Sequence, residues 1–228
     1  KALREPEFQF TSLFHLMNEE LLRGCFEGLR KDAASGIDRV TKEEYGRNLA
    51  TNVQGLVSRL HEMSYRPQPV CRVYIPKPGS SKQRPLGIPA LEDKVVQAGL
   101  VRILEAVYEA DFIADSYGFR PGRGCHDALR ALSVTVESGG VHYIVEADIR
   151  GFFDNVEHEW LMKFLSHRIG DKRVLRYVQR FLKAGVFELG GIAATEQGTP
   201  QGGVISPLLA NIYLHYSLDL WYTRVFSR

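Results

Sequence analysis

The stretch EADIRGFFDNVEHEWL, Glu146 to Leu161, opens with strand character and closes with helix character, and one aspartate and two phenylalanines stand at the join. Side chains alternate sides along a strand, so Glu146 and Asp148 share a face. "HYIVEADI", residues 142–149, therefore reads as a buried strand, with Asp148 where it gives way to a turn. From such a position a carboxylate on rigid backbone can reach an open cleft. Nucleotidyl transfer needs that, because it holds two metal ions roughly 3.5–4 Å apart beside a triphosphate and an attacking hydroxyl. The plain structural reading is an aspartate that merely begins a turn. The neighbours of Asp148 favour the functional reading, because Phe153 can floor a sugar ring and its bulk would leave no room for a 2′-hydroxyl. Phe152 is expected in the core. Asp154 and Asn155 are expected to be turn and cap residues bonded to nearby backbone amides.

Two other strings carry chemistry. In "GTPQGGVISPLLANIYL", residues 198–214, a glycine loop and an amide side chain precede a Ser-Pro helix start. Gly202 and Gly203 allow close approach of another backbone or a base pair, and Gln201 offers both donor and acceptor at that edge. "IPKPGSSKQRPLGIP", residues 75–89, sets Lys77, Lys82 and Arg84 about a hairpin tip from which they can close on a triphosphate. Arg grips phosphate oxygens in bidentate fashion and Lys adds a point charge. A soluble basic hairpin is the plainer reading. It is not a Walker loop, because no Gly-Lys-Ser/Thr opens a helix.

The 228 residues, 44% of them hydrophobic, suffice for a globular core, and no apolar run approaches a membrane span. The start, "KALREPEFQF", has neither a signal region nor an initiator Met and reads as a cut from a longer chain. Cys25, Cys71 and Cys125 are too scattered for zinc or a disulfide framework, which fits a reducing cytoplasm. Net charge is only +2, but it is unevenly spread. Met63 to Leu91 holds no acid and six of the ten prolines, and Lys163 to Lys183 sets Arg168, Lys172, Arg173, Arg176 and Arg180 against Asp171 alone. Two cationic surfaces are expected.

Periodicity predicts helices over Thr11 to Leu29, from a Thr41/Glu44 capping box to Leu60, over Leu91 to Ala110, over His126 to Glu137 and over Glu157 to Ile169. Asp171 caps a further helix that Gly185 ends, and Ser206-Pro207 begins the last one. "VCRVYIPK" with "RPLGIP" predicts an edge hairpin, and "VFELGGIAATEQG" a second one with Gly190-Gly191 at its tip.

Together these strings resemble the reverse transcriptase domain of group II intron-encoded proteins (maturases) and their bacterial relatives, over nearly all of the chain. "SGIDRVT" and "YRPQPVCRVYIPKPGSSKQRPLGIPALEDKVVQ" look like the first fingers blocks, and "FIADSYGFRPGRGCHDAL" like the next. "EADIRGFFDNVEHEWL" and "GTPQGGVISPLLANIYLH" look like the first two palm blocks. The resemblance implies an α+β fold of right-hand polymerase type, helix-rich with short antiparallel sheets. It divides into an N-terminal extension (1–40), fingers (41–140) and a partial palm (141–228). It implies that Asp148 is the first metal-binding carboxylate, with the Ile149 carbonyl as a further ligand. Phe153 becomes the sugar gate, Gln201 lines the incoming nucleotide, and Lys77, Arg84 and, in a loop of variable length, Lys82 contact its triphosphate. Arg120, Arg123, Arg173, Arg176, Arg180 and Lys183 are the expected nucleic-acid contacts. The implied cofactor is a pair of Mg2+ ions, with Mn2+ as a substitute, and the implied partners are an intron RNA template, a DNA primer and dNTPs.

The family's next block, Tyr-Ala-Asp-Asp, has no counterpart, since the sequence contains no two consecutive aspartates. The chain is therefore expected to be inactive alone, and to self-associate through apolar surface near Trp221 and Tyr222. Two competing readings remain. One is an intron-RNA anchoring module that uses the N-terminal helices and the 163–183 face. The other is an RNA-directed RNA polymerase, against which Phe153 argues.

Overall fold

The amphipathic pattern after Thr11 does not run as one helix. Phe14–Leu16 form a single 3₁₀ turn, and helix α1, Glu19–Gly28, starts afresh behind Asn18, whose side chain accepts the Leu21 N–H at 2.9 Å. The 3₁₀ turn is held from far away in sequence. Oδ2 of the buried Asp171 accepts the N–H groups of Leu13 and Phe14, both at 2.9 Å, while Oδ1 accepts that of Arg173 at 2.9 Å. One carboxylate thus caps both the 3₁₀ turn and helix α7, Lys172–Leu182. The molecule is a computed structural model that describes residues 1–5, 7–76, 79, 81, 83–199 and 201–226.

Thr41 caps as its sequence predicts, its hydroxyl accepting the Glu44 N–H at 3.2 Å. The helix it begins is short: α2, Lys42–Gly46, gives way to α3, Leu49–His61. Asn48 leaves helical geometry there, and Asn52 Nδ2 donates to the freed Tyr45 carbonyl at 2.9 Å. Helix α4, Leu91–Tyr108, runs through the core with Val95, Val96, Leu100 and Leu104 buried, and packs on α1 and on α8, Ser206–Leu214. Helix α6, His158–Arg168, lies against α7 and α8. The two groups are joined where Phe14 stacks on Tyr177, with centroids 5.4 Å apart, and the Tyr177 hydroxyl donates to the Leu60 carbonyl at 2.9 Å. Helix α5, Cys125–Glu137, buries none of its residues. A π-helical turn, His215–Asp219, links α8 to α9, Leu220–Phe226.

Strands β1 (Val70–Pro76) and β2 (Gln83–Ile88) form the first predicted hairpin, and β3 (Val186–Glu188) and β4 (Gly191–Ala193) the second. Leu189 and Gly190, with φ of 51° and 80°, make the second turn, one residue earlier than the Gly-Gly pair suggests. A short parallel pairing of Val70–Cys71 with Val186–Phe187 fuses the hairpins into one mixed sheet of order β2-β1-β3-β4. Asp93 braces the entry to β1: its Oδ1 accepts the Tyr65 hydroxyl at 2.5 Å and its Oδ2 the Gln68 N–H at 3.0 Å. Burial pushes this carboxyl up to about 6 against those two bonds.

The largest departure from the sequence reading is the segment 142–149. It is exposed throughout and forms no strand, so Asp148 does not sit at the end of a buried one. A strand needs a neighbour to take its backbone hydrogen bonds, and among the described residues no strand lies beside this segment. Val141, Tyr143, Ile144, Val145 and Ile149 consequently face solvent, as do Trp221 and Tyr222 in large part. No helix among the described residues is long and apolar enough to cross a membrane.

Asp171 supplies the sharpest test of this architecture. Burial alone would raise its pKa, but N–H donation from Leu13, Phe14, Arg173 and Val174 holds it below the ordinary carboxylate value. Asp171→Ala leaves buried N–H groups unpaired and should cost roughly 2–4 kcal/mol in urea unfolding at neutral pH. Since the folded pKa is depressed, this contribution exists above the unfolded value of about 3.9. It disappears as pH falls through the folded one, so wild type and variant should converge in acid.

Candidate functional site

Three segments meet at an open cleft of about 680 Å³ lined by Gln83, Arg84, Pro85, Asp148, Ile149, Gly151, Phe152, Phe153, Gln201 and Leu214. They are β2, the turn after residue 148, and the glycine loop before α8. The turn is made by Gly151, at φ +61°, and a 3₁₀ turn over Phe152–Asp154, with Asn155 Nδ2 donating to the Gly151 carbonyl at 2.8 Å. Asn155 is thus the turn residue its type suggests.

The glycine loop is bonded on both sides. Toward the turn, Gly198 N–H donates to the Val156 carbonyl and Thr199 N–H to the Phe153 carbonyl, each at 2.7 Å. The buried His158 ring adds a bond from Nε2 to the Gly198 carbonyl at 2.7 Å. Toward β2, Gly87 N–H donates to the Gln201 carbonyl at 2.5 Å. The glycines make this approach possible. A Cβ on Gly202, at φ +103°, would stand 2.5 Å from the Gly87 carbonyl oxygen, and one on Gly198, at φ +81°, would stand 2.9 Å from the carbonyl oxygens of Phe153 and Asp154. Side chains rarely tolerate either the torsion or the distance.

Of the residues singled out from the sequence, the cleft gathers Arg84, Asp148, Ile149, Phe153 and Gln201. Asp148 and Arg84 are exposed, and no acidic side chain among the described residues pairs with Arg84. Lys77 and Lys82 lie outside the described residues. Phe153 packs edge-on against Phe119 and Phe152, with centroids 6.3 and 5.8 Å away, and Phe152 leans on the core beside Tyr213, 6.2 Å away. Behind Phe153 and Gln201 lies a second cleft of about 390 Å³, bordered also by Arg72, Asp154, Glu188 and Thr199. Arg72 pairs with Glu188 at 3.5 Å and Tyr74 donates to the same carboxylate.

Sequence reasoning missed one bond. Gln201 Nε2 donates to Asp154, 3.3 Å from Oδ1 and 3.4 Å from Oδ2. The pair is 47 residues apart. The glycine spacing announces a close approach at the loop but nothing in it names the partner.

The cationic residues divide into two kinds. Arg120, an expected nucleic-acid contact, has its side chain 4% exposed, pairs with Glu109 at 3.0 Å and donates to the Ile113 and Ser116 carbonyls at 2.8 Å, so its guanidinium acts as a structural strut. Arg168, counted within the second basic stretch, is likewise buried. It pairs with Asp111 at 2.9 Å and donates to the carbonyls of Ala2, Glu5 and Phe8, which fastens the N-terminal segment. Arg123 donates to the Ala114 carbonyl and lies 5.5 Å over Tyr117. On α7, Arg180 donates to the Tyr65 carbonyl at 2.9 Å and the exposed Arg173 lies 5.1 Å over Phe14, while Lys172, Arg176 and, just past the helix end, Lys183 are exposed to solvent.

Comparison with known proteins places this arrangement. The profile described as "Reverse transcriptase (RNA-dependent DNA polymerase)" matches residues 75–227. The chain is similar to group II intron-encoded protein LtrA of Lactococcus lactis subsp. cremoris, 39% identical over 207 residues that cover 90% of this chain and 34% of LtrA. It is similar to protein YkfC of Escherichia coli (strain K12), 42% identical over 183 residues that cover 79% of this chain and 48% of YkfC. The chain therefore spans about a third to a half of these relatives. Among solved structures, a chain of a partial Cas6-RT-Cas1–Cas2 complex shares the fold, with a TM-score of 0.59 at 22% identity, over 96% of this chain and 35% of that one.

The two-sided loop predicts a local signature. Gly202→Ala should cost about 2 kcal/mol or more, through the unfavourable torsion and the collision with Gly87. Hydrogen exchange should show the Gly87 amide, protected in the parent chain, exchanging at least tenfold faster in the variant.

Proposed function

The chain belongs to the reverse transcriptase (RNA-dependent DNA polymerase) family, and from that membership we propose that its cleft serves nucleotidyl transfer to a DNA primer on an RNA template. The observation that carries this reading is the convergence of Arg84, Asp148, Phe153 and Gln201 on one open cleft, from segments up to 117 positions apart (201 − 84). Arg84 would hold triphosphate oxygens through its planar fork. Phe153 would lie under the sugar and exclude a 2′-hydroxyl, and Gln201 would meet the nucleotide's edge. Lys77 and Lys82, from the hairpin tip, would add charge to the triphosphate side.

Reverse transcriptases use divalent metal ions, and the donor set here fits one arm of such a site. The Asp148 carboxylate is exposed on the cleft with the Ile149 backbone beside it. Mg2+ accepts one or two carboxylates and completes its shell with phosphate oxygens and water. No group of three or more His, Cys, Asp or Glu residues that could hold a metal exists among the described residues. When bound, Mg2+, or Mn2+ in its place, neutralises phosphate charge and favours attack by the primer hydroxyl.

Two measurements test the reading. The 228-residue polypeptide should not extend a primer on RNA. In a full-length polymerase that carries this sequence, Asp148→Ala should lower activity at least a thousandfold, while Phe153→Ala should raise ribonucleotide use tenfold or more relative to deoxynucleotides. Unchanged sugar selectivity would remove the gate, and retained activity in Asp148→Ala would remove the proposal.

A second role, anchoring structured RNA, is favoured by the solvent-facing Arg176 on α7 and Lys183 just past its end. RNA affinity should fall steeply with salt. Neutralising Arg176 should lower the magnitude of the log–log salt slope by about 1, whereas neutralising the buried Arg120 should destabilise the fold and leave the slope unchanged.

A further inference from the structure

The main chain of Gln201 is pinned, its carbonyl accepting Gly87 N–H at 2.5 Å while Gly202 presses on the Gly87 carbonyl. What stays free is the end of its side chain. The two ends of a carboxamide are nearly equal in size and opposite in hydrogen-bonding sense, and the terminal torsion is broad. A nucleotide that meets the nitrogen is offered a donor, and one that meets the oxygen is offered an acceptor.

Asp154 removes that choice. Its carboxylate accepts Gln201 Nε2 at 3.3 and 3.4 Å, and an ionised carboxylate cannot donate to the oxygen end in return. Asp154 is itself held, since its N–H donates to the Gly151 carbonyl at 3.0 Å and its turn carries the Phe153 and Val156 carbonyls that bind the glycine loop. It lines the second cleft and not the one that contains Asp148, while Phe153 and Gln201 border both.

We propose that Asp154 is a positioning residue for nucleotide selection. Acting through Gln201, it fixes the amide so that Oε1 is presented to the nucleotide cleft, as acceptor for the 3′-hydroxyl of the incoming sugar. The inference rests on the nucleotidyl-transfer reading above. An acceptor there favours a nucleotide that carries this hydroxyl over a dideoxynucleotide that lacks it, because the latter leaves Oε1 unpaired.

The test uses the full-length polymerase with dTTP and ddTTP. Asp154→Ala should lower the ratio of their kcat/KM values about 3–10-fold, mainly through the KM for dTTP. Gln201→Ala should do the same, and the double variant should add nothing further. Asp154→Asn, which keeps an acceptor oxygen, should restore most of the ratio. In the 15N-labelled 228-residue chain, the Gln201 side-chain amide pair, identified by its loss in Gln201→Glu, should move in Asp154→Ala.

A ratio that stays put in Asp154→Ala, or additive effects in the double variant, would overturn the inference even where Asp148→Ala is dead. Full activity in Asp148→Ala would instead overturn the reading on which it rests.

Discussion

A short run of backbone hydrogen bonds holds the candidate site together. The loop at 198–202 takes two bonds from its own N–H groups to the turn at 153–156 and gives its Gln201 carbonyl to the N–H of Gly87. Main-chain groups cannot be repositioned by a rotamer change, so the spacing between β2 and the 153–156 turn is set by the loop itself. Glycine at 198 and 202 is the condition for it, since each torsion lies in the left-handed region and each missing Cβ clears a carbonyl oxygen. Arg84 lies three residues before the contact on β2 and Phe153 at the contact on the turn, so both inherit their separation from the same bridge.

Charge is divided between interior and surface in a way that net charge does not reveal. Arg120, Arg168 and Asp171 are buried, and each satisfies backbone groups as well as, or in place of, a counter-ion. Buried ions are tolerated when their hydrogen bonds are met. The effect is to tie segments distant in sequence: Arg168 holds Ala2, Glu5 and Phe8, and Asp171 holds Leu13 and Phe14. The second basic stretch loses Arg168 to the interior and Arg180 in part, while Lys163, Lys172, Arg173, Arg176 and Lys183 remain exposed.

Features with local causes were legible in the sequence. The Thr41 cap, the Asp171 cap, the Ser-Pro start of α8 and both hairpins follow from turn and cap chemistry within a few residues. The cleft was legible in part, because glycine spacing marked a backbone contact and the residue types marked the chemistry. Features with distant causes were not. The 3₁₀ turn before α1 is capped by a carboxylate 158 residues away from Leu13, and Asp154 bonds a side chain 47 residues on. Apolar alternation over 142–149 marks a segment suited to a sheet without supplying the strand that would pair with it.

That unpaired segment governs how the site can work. Paired as a strand, it would put Tyr143, Val145, Ala147 and Ile149 on one side and His142, Ile144, Glu146 and Asp148 on the other, and all are exposed. The Asp148 wall of the cleft is therefore placed through its covalent connection to the Gly151 turn, whereas the Gln201 wall is placed by backbone bonds on two sides. Chemistry at a metal-held phosphate is sensitive to misplacements of about 1 Å. A strand pairing with 142–149 would satisfy its backbone, cover Tyr143 and Val145, and fix the direction of the carboxylate in one step. On the proposed reading, completing the sheet would also orient the carboxylate proposed to hold metal, because Asp148 ends the segment that needs a neighbour.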